Sequence, residues 1–588
     1  MKRFSIVFFL IMGIAGKAFT QIITIKDLVT HQPIELAAIF TEDNSLSVIT
    51  SRKGQADISA FSNEERIMIR VLGYEKETVS YSKLESSKFL IYLVPTNLTL
   101  DEVVVSATRW QQDKRDVPSK ITTIKSSEVL LENPQTAADL LGQSGEVFIQ
   151  KSQMGGGSPM IRGFATNRVL ITVDGIRMNN AIFRSGNLQN VISINPLAIQ
   201  STEVLYGPGA VMYGSDAIGG AMNFSTFEPA FSSNGKPFVK GSVLGRWSSA
   251  NMEKTGNFNF NIGFKKLAFF TSIGYSDFDD LVMGSKGPDF YLRPEYVTRI
   301  NGQDTVVANP NSRKQINSGY SQMNLMQKVR WSPASNLDLQ YGFHYSATSD
   351  VPRYDRLIEY KNGSLRDGEW YYGPQVWMMH ALNITHKAHS FMYDQVRFSG
   401  AYQFFEESRH NRSFGSSKLT HRTENLGAFS ASLDFDKKIG KKHTILYGAE
   451  YIGNTLNSVG EVENIKSGEF TPTSSRYPDG STWASMAAYM SYQIRINEKF
   501  TVQAGARYNR VLMDATFDTT YFDFSFTEAS MNKGALTGSA GMAYRPFDNW
   551  QLNMNLSTGF RAPNIDDMGK VFDSEPGAVI VPNPGLKP

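Results

Sequence analysis

The chain has 588 residues and a formal charge of +3, so it carries neither a basic nucleic-acid footprint nor an acidic tail. It holds no cysteine, which rules out structural disulfides, cysteine-based zinc sites and cysteine nucleophiles. Its 48 glycines and 12% aromatic residues suit a β-rich protein with many turns.

Lys2 and Arg3 precede an apolar run from Phe4 to Gly16, and Ala18 and Thr20 stand where a signal peptidase would cut before Gln21. Residues 1–20 therefore read as a secretion signal; the run is too short for a spanning helix of roughly 20 residues. Residues 21–97 alternate short apolar runs with turn signals (IITI, ELAAIF, ERIMIRVLGYE, KFLIYLVP), as in a small β-sandwich. Pro95 and Asn97 close that unit. A linker over 98–118 follows, beginning with LDEVVVSATR (Leu100 to Arg109). Val103, Val104 and Val105 favour extended backbone. They suit either a last sandwich strand or a free peptide that pairs with another protein's sheet.

Residues 119–228 predict a compact α+β unit. Ser126 to Gly142 has helical character, with Asn133 as the expected N-cap and Pro134 in the first helical position. Val169 to Val173 reads as a buried strand, and Asp174-Gly175 as a tight turn. Glycines cluster at Gly155 to Gly157, Gly207, Gly209, Gly214, Gly219 and Gly220, without the G-x-x-x-x-G-K-[ST] order of a phosphate cradle.

From 236 to 588 the pattern changes to long strands with one apolar and one polar face. Phe258, Phe260, Ile262 and Phe264 alternate with Asn257, Asn259, Asn261 and Gly263, and Leu337 to Ser346 and Gln551 to Phe560 repeat the scheme. Short links (332–336, 386–390, 437–442, 497–499, 546–549) alternate with long ones (about 277–320, 347–375, 406–425, 454–483, 513–535). Strands of about 10 residues with loop lengths sorted by side predict a transmembrane antiparallel β-barrel. About 13 strands are counted by Phe560, an odd number, so the barrel is read as C-terminally incomplete.

Two stretches, PMIRGFATNRVLITVDGIRMNN (Pro159 to Asn180) and EVLYGPGAVMYGSDAIGGAMNF (Glu203 to Phe224), resemble the plug of TonB-dependent outer-membrane receptors. In that family a plug fills a barrel of about 22 strands. The plug motif residues are Arg162, Gly163, Asp174, Gly175, Gly207, Gly209, Gly214, Gly219 and Gly220. Residues 21–97 are similar to the carboxypeptidase regulatory-like domain found ahead of some plugs. The resemblance makes Leu100, Asp101, Glu102, Val103, Val104, Val105, Ser106 and Ala107 the TonB box, which adds as a strand to its energising partner. It implies a mainly β protein of sandwich, plug and incomplete barrel, embedded in outer-membrane lipid. Its partners would be TonB and a large ligand, an iron chelate (siderophore) or haem, with cobalamin as the alternative.

No G-x-S-x-G or H-E-x-x-H constellation is present, and no catalytic role, cofactor or resident metal is expected. A non-transporting adhesin built on a barrel is the reading from another class. FRAP (Phe560 to Pro563) and NPGL (Asn583 to Leu586) resemble paired motifs of haem receptors, but the stretch between them lacks the histidine found there. Candidate ligand residues are Arg184, on a plug apex that the resemblance implies is exposed, Arg353 and Tyr354 in one long loop, and His410 and His421 in another. Trp377 is expected in an aromatic girdle at the membrane surface.

Overall fold

A computed structural model describes residues 21–588 except 29, 42–44, 63, 72–73, 75–76, 95–102, 106–107, 185–190, 234, 548–549, 576–577, 581, 584 and 587–588. The expected signal at 1–20 and Leu100, Asp101, Glu102, Ser106 and Ala107 of the expected TonB box lie outside the described residues.

The chain divides into two compact units, 1–102 and 103–588. In the first, a three-stranded sheet runs Gln55–Asp57, Ile22–Asp27, Leu90–Leu93, the last pair parallel. A four-stranded antiparallel sheet runs Ser47–Ile49, Ala38–Thr41, Ile67–Arg70, Glu77–Val79. Alternate residues Ile23, Ile25, Ile39, Ile67 and Ile69 point into one core, as period-two strands require. The expected all-β unit also contains a helix, Tyr81–Ser86, whose N-terminus is capped by the Ser80 hydroxyl accepting from Lys83 N.

The second unit opens with the plug. Its sheet comprises β1 (Ile121–Lys125), β2 (Val169–Val173), β3 (Ile176–Arg177), β4 (Ile199–Tyr206) and β5 (Gly220–Thr226), in the order β1-β4-β5-β2-β3, with β2 parallel to β5. Every residue of β2 is buried. Asp174 and Gly175 both take positive φ, the type I′ geometry that joins β2 to β3. The expected single helix is two, α1 (Ser126–Glu132) and α2 (Ala137–Gln143). Asn133 ends α1 in the left-handed conformation instead of capping a start, and Thr136 with Asp139 forms the capping box of α2. The glycine pair at the head of β5 has a steric reason. A Cβ on Gly219 would stand 2.4 Å from the Phe164 Cβ, and one on Gly220 would stand 2.2 Å from the Leu205 carbonyl oxygen.

Thirteen strands then form one antiparallel path: β6 (Phe238–Ser248), β7 (Glu253–Gly263), β8 (Leu267–Phe278), β9 (Tyr320–Ala334), β10 (Leu337–Thr348), β11 (Val376–Lys387), β12 (Gln395–Ser413), β13 (Lys418–Ile439), β14 (His443–Asn464), β15 (Ser481–Asn497), β16 (Phe500–Thr516), β17 (Glu528–Phe547) and β18 (Trp550–Ser557). Burial is inverted relative to a soluble sheet. Asn257 and Asn261 are buried while Phe258 is 41% exposed, and His344 and Ser346 are buried while Tyr341 is 39% exposed. Polar residues thus face the plug-filled lumen and apolar ones face outward, as a lipid-facing barrel wall requires. Among the described residues no helix is long and apolar enough to cross a membrane, which bears only on helices.

Short connections gather at one end from β7 onward (264–266, 335–336, 388–394, 440–442, 498–499), and long ones at the other; the links 249–252 and 414–417 are short although they lie at the long-loop end. Two expected loops are largely strand. The β12–β13 ladder runs through the expected 406–425 loop up to a tight turn at 414–417, and β14 runs on to Asn464, where Glu469–Thr473 folds back on it. Trp377 is 3% exposed and donates from Nε1 to Gln403, inside the core shared with the plug; it is no girdle residue.

Candidate ligand-binding site

At the long-loop end the plug segment Asn179 to Arg184 is clasped from three sides. Asn179 is fixed to β2 by accepting from Ile171 N and donating to the Val169 carbonyl. Ala181 N donates to Asn454 of β14. The FRAP segment leads into α3 (Ile565–Gly569), where Ile565 N donates to the Ala181 carbonyl and the Asn564 side chain donates to that of Phe183. The family resemblance implied an exposed Arg184, yet it is 6% exposed. Its guanidinium pairs with Glu407 at 2.9 Å and reaches the Tyr477 hydroxyl at 3.4 Å. Burial disfavours that charge, but Glu407 outweighs burial and pushes the Arg184 guanidinium up.

Around this ion pair lies a polar cluster drawn from distant parts of the chain. Tyr477 donates to Asp566 at 2.7 Å and accepts from Arg476 at 3.1 Å; Lys570 approaches Asp566 at 3.5 Å. Burial works to raise the Asp566 carboxyl, but Arg184, Lys570 and Arg476 outweigh it and hold it below the ordinary carboxylate range. Burial also lowers Lys570 and raises Tyr477. Glu424 is fully buried, and neither of its carboxylate oxygens has a hydrogen-bond partner among the described residues; the same holds for Arg409 Nε. Arg409, Arg476 and Arg184 lie close enough to act on the Glu424 charge. Buried polar atoms are nearly always hydrogen-bonded, so this cluster has spare bonding capacity for a polar ligand. Four cations (Arg184, Arg409, Arg476, Lys570) against three carboxylates (Glu407, Glu424, Asp566) bias it towards an anion.

A depressed carboxyl such as Asp566 stabilises the clasp fully above its unfolded value of about 3.9, and that contribution is lost as pH falls through the lower folded value. Protease protection of α3 should therefore be flat from neutral pH down to about pH 4 and fall below it. Asp566→Asn should remove protection already at neutral pH.

The other sequence candidates do not converge here. Arg353 is committed to Asp355 and the Tyr372 hydroxyl and stacks over Trp370, while Tyr354 lies under Arg293. His410 and His421 are direct cross-strand partners on β12 and β13, with Nδ1 atoms 2.6 Å apart, Tyr371 stacked on His410, and Glu463 against His421. Alternation puts His410 on the opposite face from Arg409, so the pair is turned away from the Arg184 cluster. Sequence reasoning missed Glu407, Glu424, Arg476, Tyr477 and Asp566. Their common signal, a charged residue on the lumen face of a strand or loop, is shared with many structural residues.

At the short-turn end, Val103–Val104 is neither free nor part of the 21–97 sheets. It forms a two-residue antiparallel ladder with Gln112–Asp113, Val104 is fully buried, and Val105 N donates to both Glu203 carboxylate oxygens at 3.0 and 3.1 Å. Arg109 pairs with Glu450 and, at 3.7 Å, with Asp434. Of the plug motif residues, Arg162 stacks over Tyr206, Gly163 and Gly207 take positive φ in turns, Gly209 precedes a short helix, and Gly214 ends it against Arg507. Asp174 accepts from Thr226 and pairs with Lys328 at 2.8 Å and His344 at 3.3 Å, tying the plug to β9 and β10.

Residues 113–221 match the TonB-dependent receptor plug domain, and residues 308–588 match the TonB-dependent receptor-like β-barrel. The vitamin B12 transporter BtuB of Vibrio vulnificus (strain CMCP6) is 30% identical over 274 residues, 46% of this chain and 38% of that protein. The hemin receptor of Yersinia pestis is 22% identical over 507 residues, 83% of this chain and 65% of the relative. The chain thus spans less than two thirds of the length of these relatives. Among solved structures, the copper transporter OprC (TM-score 0.59, 12% identity, 76% of this chain and 64% of that one) shares the fold. So does the Serratia marcescens hemophore receptor HasR (TM-score 0.59, 14% identity, 80% and 68%). A plug of matching sequence inside a lumen-polar barrel of matching sequence places the chain in the family of TonB-dependent receptors.

Proposed function

We propose that this protein is an active importer of the bacterial outer membrane that captures a large anionic ligand, an iron chelate of the siderophore or haem class, on its long-loop side. The observation that carries the reading is the buried cation-rich cluster around Arg184, with the Glu424 carboxylate and Arg409 Nε lacking hydrogen-bond partners among the described residues. Energy comes from TonB acting on the segment around Val103–Val105, which can add to a partner's sheet once its two-residue ladder opens. Residues 1–20 act as the export signal. Residues 21–97 form a carboxypeptidase regulatory-like module, a reading supported by their two packed sheets.

The relatives named for vitamin B12 and hemin define the comparison for the test. The gene is placed in a strain lacking its own receptors, and growth is scored separately on ferric siderophores, haem and cobalamin as the limiting source. Growth restored on a ferric chelate or haem is expected. Growth on cobalamin alone would replace the ligand assignment, and growth on none would contradict import.

A further inference from the structure

The link 388–394 between β11 and β12 has seven residues, against two or three in 264–266, 335–336, 440–442 and 498–499. Adjacent antiparallel strands can be joined by two residues, so most of AHSFMYD is not needed for the connection. Its shape is fixed from within and from β13. The Ser390 hydroxyl accepts from Tyr393 N and donates to the Tyr393 carbonyl, both at 2.9 Å. Lys437 Nζ donates to the Ser390 carbonyl at 2.7 Å, and the Asp394 carboxylate accepts from Lys438 N at 2.7 Å and pairs with Lys437 at 3.3 Å.

The link does not hang free beyond the strand ends. It folds sideways across β13 to β14, where the Tyr447 hydroxyl donates to the Met392 carbonyl at 2.7 Å. The Tyr393 ring lies 6.1 Å from that of Phe435, which stacks on Tyr447. Phe435 and Tyr447 belong to the outer face, because their chain neighbours Asp434, Asp436 and Leu446 are the buried, lumen-side residues of the same strands. The two rings are cross-strand partners four residues up the ladder from Ile439 and His443, about 13 Å along the strands. The link therefore lies against the lipid-facing wall, and at its crest Phe391 is 97% exposed and Met392 57%. An almost wholly exposed phenylalanine pinned in a fixed turn is unfavourable in water, whereas beside this wall it has acyl chains to enter.

The polar side of the same corner is basic. Residues 388–394 and 437–442 together hold four lysines (Lys437, Lys438, Lys441, Lys442) against one carboxylate, Asp394. That carboxylate is taken by Lys437, the Lys438 backbone and His389. Lys441 and Lys442 are exposed and have no ion-pair partner among the described residues. Lysines beside an apolar, lipid-facing patch lay their stems along it and bring the ammonium to the level of headgroup phosphates. We propose that the 388–394 link is a clamp for an anionic phospholipid in the leaflet at the short-turn end: Phe391 and Met392 enter the acyl layer, and Lys441 and Lys442 hold the headgroup phosphate. The surplus of positive charge selects a headgroup of net negative charge over a zwitterionic one. The inference needs only the barrel wall and is independent of the ligand imported.

Because the chain has no cysteine, a single nitroxide reports the depth of the link: Phe391→Cys carries it, with Ser335→Cys in the two-residue link 335–336 as the reference. The purified protein is placed in bilayers of phosphatidylethanolamine and phosphatidylglycerol. The Phe391→Cys label should collide with dissolved oxygen more than with a water-soluble nickel chelate, and the Ser335→Cys label should do the reverse. Native mass spectrometry from micelles holding equal amounts of the two lipids then reads selectivity. The unsubstituted protein should retain phosphatidylglycerol several-fold over phosphatidylethanolamine. Lys441→Gln combined with Lys442→Gln should remove that preference, and Phe391→Ser should lower retention of both lipids. A Phe391→Cys label as open to the nickel chelate as the reference, or shielded from both reagents, would overturn the insertion. Equal retention of the two lipids, or a preference that survives in the double variant, would overturn the headgroup assignment.

Discussion

Replacing Asp174 with Ala is expected to cost the docked plug about 3–5 kcal/mol, the usual cost of removing one partner of a buried ion pair. Lys328 is 1% exposed and has the Asp174 carboxylate at 2.8 Å, so the substitution leaves an ammonium buried without its counter-ion. The same carboxylate accepts from the Thr226 backbone and hydroxyl, so the β2–β3 turn loses its tie to β5 as well. Burial alone would raise Asp174; Lys328 and His344 override it and hold the carboxyl far below the ordinary range. A depressed carboxyl stabilises above its unfolded value and loses that contribution only as pH falls through the folded one, so wild-type docking should resist mild acid. The check is the urea midpoint for protease nicking within 119–228. Asp174→Ala should lower it sharply, and Asp174→Ala with Lys328→Met should recover part of the loss. A midpoint within about 1 kcal/mol of wild type would contradict the role assigned to this pair.

Reversing the charge of Arg184 should have the largest effect on ligand capture. Arg184→Glu sets two carboxylates side by side with Glu407 and turns the cluster from cation-rich to anion-rich. Like-charge juxtaposition costs several kcal/mol, which corresponds to a loss of about 100-fold or more in affinity for an anion. Glu424→Gln should act in the other direction and tighten binding a few-fold, because it removes a carboxylate with no hydrogen-bond partner among the described residues. Equilibrium binding of the ligand that supports growth measures both. Unchanged affinity in Arg184→Glu would remove the cluster from ligand recognition.

The barrel was legible in the sequence because lipid imposes period-two alternation over whole strands, and the expected 13 strands match the observed path. The Asp174–Gly175 turn was legible for a similar reason, since few residue pairs tolerate two positive φ values in succession. What escaped depends on partners far along the chain. Arg184 was expected at an exposed apex, yet Glu407, Tyr477 and α3, more than two hundred residues away, bury it. His410 and His421 were expected in a long polar loop, but the polar hairpin holding them keeps a continuous backbone ladder. The valines at 103–105 carry extended propensity equally well as a free peptide or a docked one; only Glu203 and Gln112–Asp113 show them docked.

That docked segment is where the most direct measurement lies. Residues Asp101 to Ala107 are deleted, and ligand binding at the cell surface and accumulation inside the cell are followed in the same energised cultures. Binding kept at wild-type level with accumulation abolished is the expected result for an importer driven through this segment. Accumulation that continues without it would contradict the central claim.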